Sequence, residues 1–218
     1  MANSDIIGAG QDTAHRAPKK EYPPVLDVCC STRSFWFDPS DPRALYCDKR
    51  KEEIVRKDSG SKTGFRKLII NPDYQCDFTA LPFPDNTFRV VVYDPPHKQR
   101  EDYNNGFLVQ QYGILNGDWK KMLSFGFAEC FRVLQPFGVL IFKWAETEFK
   151  VSEILKLTSE LPLFGHKSGK YNRTHWICFM KQESPVLGEE SPVQNTMEIC
   201  HTAPNTASMP DTQLSLDF

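Results

Sequence analysis

The chain has 218 residues, 40% of them hydrophobic and 25% charged, with a formal charge of -2 at neutral pH. That suffices for one sizeable core with tails. No apolar run approaches the ~20 residues that span a bilayer, and the first residues lack the basic start and apolar block of a secretory leader, which argues against a membrane role and for a cytoplasmic protein. Charge is uneven: residues 183–218 hold six acids and no Lys or Arg, whereas residues 21–182 hold 23 bases against 20 acids, a body compatible with a polyanionic partner. Seven cysteines without a Cys-x-x-Cys pair read as reduced, small core residues.

In chain order, residues 1–20 are polar and aperiodic, a flexible N-terminal arm. Val25-Leu26-Asp27-Val28-Cys29-Cys30 is a short apolar run of the kind found in buried strands, followed by a polar turn and the aromatic triplet Phe35-Trp36-Phe37, read as core with a rim role. Ala44 to Asp48 is a second strand that again ends in an acid. Lys49 to Lys67 is rich in Lys and Arg and interrupted by Ser59-Gly60-Ser61. It reads as an exposed, mobile segment, solvated by default, with a nucleic-acid contact as the sharper alternative. Leu68-Ile69-Ile70 is a minor strand or the end of that excursion.

Cys76-Asp77-Phe78 and a proline-punctuated loop, Leu81 to Phe88, lead into Arg89-Val90-Val91-Val92-Tyr93-Asp94-Pro95-Pro96-His97. Three valines suit a strand buried on both faces. Pro95 and Pro96 lack amide hydrogens and fix φ, so the strand stops at Asp94. Ligands of open α/β sheets bind at such carboxyl ends. The polar stretch 98–117 has the length of a lid or binding loop.

Asp118 caps a helix running to about Leu134, with Trp119, Met122, Leu123, Phe127 and Cys130 at helical spacing. Gln135-Pro136-Phe137-Gly138 breaks it, Val139 to Trp144 is another buried strand, and Val151 to Leu161 is an amphipathic helix stopped by Pro162. Leu163-Phe164 and His175 to Met180 predict a closing antiparallel pair joined by a basic, glycine-containing loop with Lys167. Alternating strands and helices predict a Rossmann-like, doubly wound, mostly parallel α/β sheet with helices on both faces and a C-terminal antiparallel strand. Residues 183–212 turn to Ser, Pro, Thr, Glu and Asn and predict a disordered linker. No metal site is expected, since His97, His166 and His175 lack ligand spacing with any Cys or acid.

Over residues 21–182 these motifs together resemble the class I S-adenosylmethionine-dependent methyltransferases, in particular the amino-methyltransferases with an (Asp/Asn/Ser)-Pro-Pro-aromatic signature, here Asp94-Pro95-Pro96-His97. The resemblance implies S-adenosylmethionine as cofactor, Asp27 and the Cys29-Cys30 turn at the first-strand motif, Asp48 on the ribose hydroxyls, and Asp77 with Phe78 at the adenine. Two positions depart from the family. Its first-strand loop is normally glycine-rich, but here reads Cys29-Cys30-Ser31-Thr32-Arg33, similar to a small phage and bacterial group; the small residues admit the methionine moiety and Arg33 is expected to pair with its carboxylate. His97 stands where an aromatic is usual and reads equally as a stacking face and as a capping or core histidine.

The chemistry needs such residues. An exocyclic amine on adenine or cytosine is a poor nucleophile because its lone pair is delocalised. Acceptance of both N–H bonds, by Asp94 and the rigid carbonyl of Pro95, frees that pair, and His97 stacks on an extruded base. Lys143 and Trp144 fall on the same rim as substrate contacts, although strand-end packing with a snorkelling lysine explains them at least as well. Lys167 touches phosphate or lies in an ordinary turn. Finally, Gln213-Leu214-Ser215-Leu216-Asp217-Phe218 resembles the peptide by which bacterial replication and repair proteins dock into their sliding clamp, with Gln213 at the groove edge and Leu214, Leu216 and Phe218 filling it. The expectation is a methyltransferase acting on an exocyclic amine of a DNA base, adenine N6 before cytosine N4, in a bacterium or phage, tethered by residues 213–218. The alternatives are methylation of RNA, a protein amide or a free nucleotide, and a degenerate non-catalytic clamp-binding adaptor.

Overall fold

The computed structural model describes residues 21–99 and 107–183. The expected arm at 1–20, the linker from 184 onward and the clamp peptide with Gln213, Leu214, Leu216 and Phe218 lie outside the described residues.

Among the described residues nine strands follow in order: β1 (Val25–Asp27), β2 (Ala44–Asp48), β3 (Glu52–Lys57), β4 (Phe65–Ile70), β5 (Tyr74–Gln75), β6 (Phe88–Tyr93), β7 (Leu134–Ala145), β8 (Pro162–Ser168) and β9 (Thr174–Met180). Seven form one sheet in the order β5-β2-β1-β6-β7-β9-β8, and β3 and β4 pair only with each other. β5, β2, β1, β6 and β7 are mutually parallel, and β9 runs antiparallel to β7 and β8. Strand order reverses between β1 and β6, which makes the carboxyl ends of those strands the topological switch point. The α/β sheet with its C-terminal antiparallel strand is the predicted fold class.

The valine strand occupies the centre because it is apolar on both sides. Val91 and Tyr93 point to one face and are fully buried, while Val92 on the other is 7% exposed. The first face carries the main core, where Leu26, Val91, Tyr93, Leu140, Phe142 and Phe179 meet Leu123, Phe127, Cys130 and Phe131 of a long helix. That helix (Trp119–Val133) begins at Asp118, whose side chain accepts the Lys121 amide N–H. Gly126 is required within it: a Cβ there would overlap the Tyr93 hydroxyl and the Phe78 ring.

Several expectations need correction. The crossovers from β1 to β2 and from β2 to β5 carry no helix, so helices do not layer both faces. On the second face the aromatic turn stands in for one: Trp36 packs with Cys30, Ala44 and Tyr46, edge-on to Tyr46 at 5.1 Å. Lys49 to Lys67 is no loose excursion, since Glu52–Lys57 pairs over six positions with Phe65–Ile70. A helix from Val151 to Leu161 shrinks to one turn, Val151–Ile154, then a 3-10 turn at Leu155–Leu157. The Thr158 hydroxyl accepts the Glu160 N–H and offers the backbone a non-helical alternative. Among the described residues no helix is long and apolar enough to cross a membrane.

Candidate active site

The switch point places two acids side by side. Asp27 is the last residue of β1 and Asp94 the first beyond β6, where Pro95 and Pro96 end the pairing. Asp27 is fully buried and Asp94 is 3% exposed. Asp27 accepts the Trp36 indole N–H at 2.8 Å and the Cys29 amide at 3.1 Å. Burial pushes its carboxyl up to about 7, the two donors only partly opposing the shift. Asp94 differs. Burial pushes it up too, but His97 and Lys143 outweigh that and hold it below the usual carboxylate range. Lys143 Nζ lies 2.6 Å from Asp94 Oδ2. His97 Nε2 lies 3.2 Å from Oδ1, but without the alignment of a hydrogen bond, so Oδ1 is a buried acceptor with no hydrogen-bond partner. Such an atom costs stability unless it has a use.

A cavity of about 500 Å³ opens over the ends of β1, β2 and β5, within the range of small-ligand sites. Val28, Cys29, Asp48, Asp77, Phe78 and Pro96 line it together with Lys49, Arg50, Tyr112, Gly113, Ile114, Asn116 and Met122. Asp48 accepts the amides of Ser31 and Arg50, each at 2.9 Å. Asp77 accepts the Thr79 amide and hydroxyl and pairs with Lys49 at 2.9 Å. A smaller cavity of about 230 Å³ lies on the far side of Tyr112 and Gly113, lined also by His97, Lys98, Lys143, Ala145, Thr147 and Thr174. His97 and Lys143, which contact Asp94, both line it.

The wall between the two cavities is a short helix, Phe107–Tyr112, fastened at its C-terminal carbonyls. Arg50 donates to the carbonyls of Gln110 and Gln111 at 2.9 and 2.8 Å, and the Ser31 hydroxyl donates to that of Gln111. Gly113 ends the helix with φ of 84°, a left-handed conformation that glycine adopts without cost.

The turn after β1 shows how a glycine-rich loop is replaced. Ser31 and Arg33 both take positive φ, 48° and 55°, at a cost of about 1 kcal/mol or more each. Side chains offset it. Ser31 is tied to Asp48 and Gln111, while the Arg33 guanidinium lies 3.8 Å from the Tyr46 ring centroid and donates to the carbonyls of Pro39 and Asn71 and to Asp73.

Of the predicted site residues, Cys29, Asp48, Asp77, Phe78 and Pro96 meet at the larger cavity, and His97 and Lys143 at the smaller, with Asp94 and the buried Pro95 beneath. Five others line neither cavity. Asp27 is fully buried and accepts from the Trp36 indole and the Cys29 amide. Arg33 is engaged with Tyr46, Asp73 and the carbonyls of Pro39 and Asn71. Cys30 is buried against Ala44 and Tyr46. Trp144 is fully buried, its indole N–H donated to the Phe149 carbonyl; it supports the His97 ring edge-on at 5.1 Å. Lys167 lies exposed on β8, opposite His175, and lines neither cavity. Sequence reading missed Lys49, Arg50, Tyr112 and Gly113. The first two follow directly on Asp48 and were discoverable; the others depend on a fold-back that no local pattern announces.

No protein-family model matches the chain, and no curated protein matches it. Among solved structures, the PH0226 protein of Pyrococcus horikoshii OT3 is similar at 17% identity and a TM-score of 0.43, over 72% of this chain and 81% of that one. A SAM dependent methyltransferase from Aquifex aeolicus is similar at 16% identity and a TM-score of 0.40, over 74% and 84%. The 1,6-didemethyltoxoflavin-N1-methyltransferase of Burkholderia thailandensis is similar at 10% identity and a TM-score of 0.41, over 73% and 71%. At these scores the likenesses do not bear on the chemistry of this chain; its strand order and site geometry do.

Proposed function

We propose that the chain is an S-adenosylmethionine-dependent N-methyltransferase acting on an exocyclic amine of a DNA base, adenine N6 first and cytosine N4 second. The observation that carries this reading is Asp94 buried at the switch point, its Oδ1 in no aligned hydrogen bond and beside His97, with Pro96 lining the larger cavity and His97 and Lys143 the smaller. The larger cavity suits a cationic nucleoside: Asp48 and Asp77 offer carboxylate acceptors to hydroxyl and amine donors, and Phe78, Ile114 and Met122 offer apolar surface to a flat ring. Bound there, S-adenosylmethionine supplies an electrophilic methyl group.

The chain's own residues do the rest. His97 and Lys143 hold the Asp94 carboxyl low, and Lys143 engages Oδ2, so that Oδ1 accepts one N–H of the amine when the base takes the place of His97 beside it. The Pro95 carbonyl accepts the other, fixed by the proline pair. Both bonds localise the nitrogen lone pair and face the positive charge that develops on it. Asp94 is then the first acceptor for the proton lost from that nitrogen; a carboxylate held below its usual range suffices, because an ammonium on the exocyclic nitrogen of an electron-poor purine or pyrimidine is far more acidic. His97 presents its ring at the mouth of the smaller cavity, where an extruded base would stack.

The test is calorimetric titration with S-adenosylmethionine, followed by labelled-methyl transfer to duplex DNA, RNA, a peptide amide and free nucleotides. Donor binding with label in DNA is expected. Binding with label only in another substrate replaces the DNA reading, for a cavity of about 230 Å³ also admits a free base. Absence of donor binding overturns the enzyme reading in favour of an adaptor. We further propose residues 213–218 as the tether to a bacterial sliding clamp. Capture by the clamp is expected to disappear in Leu216→Ala/Phe218→Ala; capture retained in that variant contradicts it.

A further inference from the structure

The β3–β4 hairpin interrupts the crossover that should join β2 to β5, and its composition is unlike the rest of the body. Residues 49–67 contain eight Lys or Arg against three acids, a surplus larger than that of the whole 21–182 body. Pairing fixes which side chains share a face. Glu53, Val55 and Lys57 lie opposite Ile69, Lys67 and Phe65, and all six are exposed. Their neighbours on the other face include Leu68 and Ile70, which are 5% and 1% exposed. The hairpin thus rests on the body by one face and displays on the other Val55, Phe65 and Ile69, exposed by 62%, 51% and 53%, interleaved with lysines.

A solvated charged face would not need three large apolar side chains, and a ribbon of this kind left open invites association. Its basic charge decides the kind of partner. Lys67 pairs with Glu53 at 2.7 Å and Arg66 with Asp58 at 2.7 Å, exposed ion pairs that contribute little and exchange readily for phosphate. Lys51, Lys57 and Lys62 are exposed as well. Six residues of strand reach about 20 Å, and the major groove of B-form DNA admits a two-stranded ribbon. The hairpin also starts at the larger cavity, for Lys49 and Arg50 line it.

We propose that the β3–β4 hairpin is a duplex-DNA-binding arm, with Lys57, Lys62 and Lys67 on phosphates and Val55, Phe65 and Ile69 against the groove. The inference rests on the DNA reading above and names the surface that would hold the polymer while one base enters the site.

The full-length protein would be titrated against a fluorescent DNA duplex over a range of salt, with an RNA duplex in parallel. The triple variant Lys57→Ala/Lys62→Ala/Lys67→Ala should lose about tenfold or more in DNA affinity near 0.1 M salt, and its salt slope should fall by about 1 per lysine removed. Phe65→Ala should weaken binding with the slope unchanged. S-adenosylmethionine affinity should stay at the wild-type value in both, which shows that the site is intact. A control triple, Lys120→Ala/Lys150→Ala/Lys156→Ala, removes the same charge from exposed positions elsewhere and should change affinity less than threefold, a limit of roughly 0.6 kcal/mol. Unchanged slope and affinity in the hairpin triple, equal loss in the control, or RNA duplex bound as tightly as DNA each overturns the arm and leaves the methyl-transfer reading standing. Loss of a wild-type dimer in the hairpin triple assigns the surface to a second copy and also overturns it. A wild type that binds no nucleic acid but methylates another amine overturns both readings at once.

Discussion

Asp27 and Asp94 end adjacent parallel strands, in register through Asp27 and Val92, and both are withdrawn from water. Yet burial pushes one up to about 7 and leaves the other below the ordinary carboxylate range. Burial is common to both, so it cannot be the cause of the difference; the partners are. Neutral donors, the Trp36 indole and the Cys29 amide, satisfy Asp27 without a counter-charge. Asp94 has an ammonium at 2.6 Å, ringed by Phe35, Tyr112 and Trp176 at 5.5–5.6 Å from their centroids. One end of the switch point therefore holds a carboxyl raised by burial among neutral donors, the other a carboxyl held low by His97 and Lys143, with Oδ1 buried beside His97. The site is chemically one-sided because of His97 and Lys143.

The largest effect expected from breaking this contrast is that of Lys143→Met. It strands a buried carboxylate, so stability should fall by about 3–5 kcal/mol in denaturant titrations. Its pH dependence should also shift. In the wild type the folded carboxyl lies below its unfolded value, so its contribution is present above 3.8 and is lost as pH falls through the lower folded value. Without Lys143 only His97 still opposes burial, so the carboxyl should rise from its wild-type position and the acid limb of the methyl-transfer rate should move to higher pH. Lys143→Arg should restore part of both; a variant with wild-type stability and pH profile contradicts the assignment.

Asp27 gives a smaller effect of opposite sign. Its folded carboxyl lies above its unfolded value, so stability should decline as pH rises from 3.8 to about 7. Asp27→Asn keeps an acceptor for Trp36 and Cys29, removes that decline, and should gain a few kcal/mol over the wild type at mildly alkaline pH in thermal melts. Parallel pH curves for the two proteins would show that Asp27 ionises freely.

Gly126→Ala sharpens the account of the donor cavity. The added methyl meets Tyr93 and Phe78 and should cost about 1–3 kcal/mol, with weaker S-adenosylmethionine binding by calorimetry because Phe78 lines that cavity. Arg33→Ala is the mildest. It should lower stability by about 1–2 kcal/mol through the lost Tyr46 contact and hydrogen bonds, with donor affinity unchanged; a large loss of affinity would return Arg33 to the site.

Much of this was readable in the chain itself. Apolar strands ending in Asp27, Asp48 and Asp94, the proline pair after the last, and the Asp118-capped helix are local patterns with local causes. The β3–β4 hairpin was hidden because both its faces carry charge and only Leu68 and Ile70 hint at an inside. The engagement of Arg33 was hidden because it depends on Tyr46, which lies beside it only after β2 has paired with β1. The partner of Asp94 is 49 residues away. It follows from register, since Tyr93 faces Phe142 across β6 and β7, so the next residue on each strand brings carboxylate and ammonium together.

The central claim is that Oδ1 of Asp94 activates an amine of a DNA base. Nucleoside mass spectrometry of DNA from cells expressing the wild type or Asp94→Ala tests it most directly. The account predicts N6-methyladenine, or failing that N4-methylcytosine, above background with the wild type and a loss of about 10²–10³-fold in transfer with the variant. Identical nucleoside profiles from the two would contradict it.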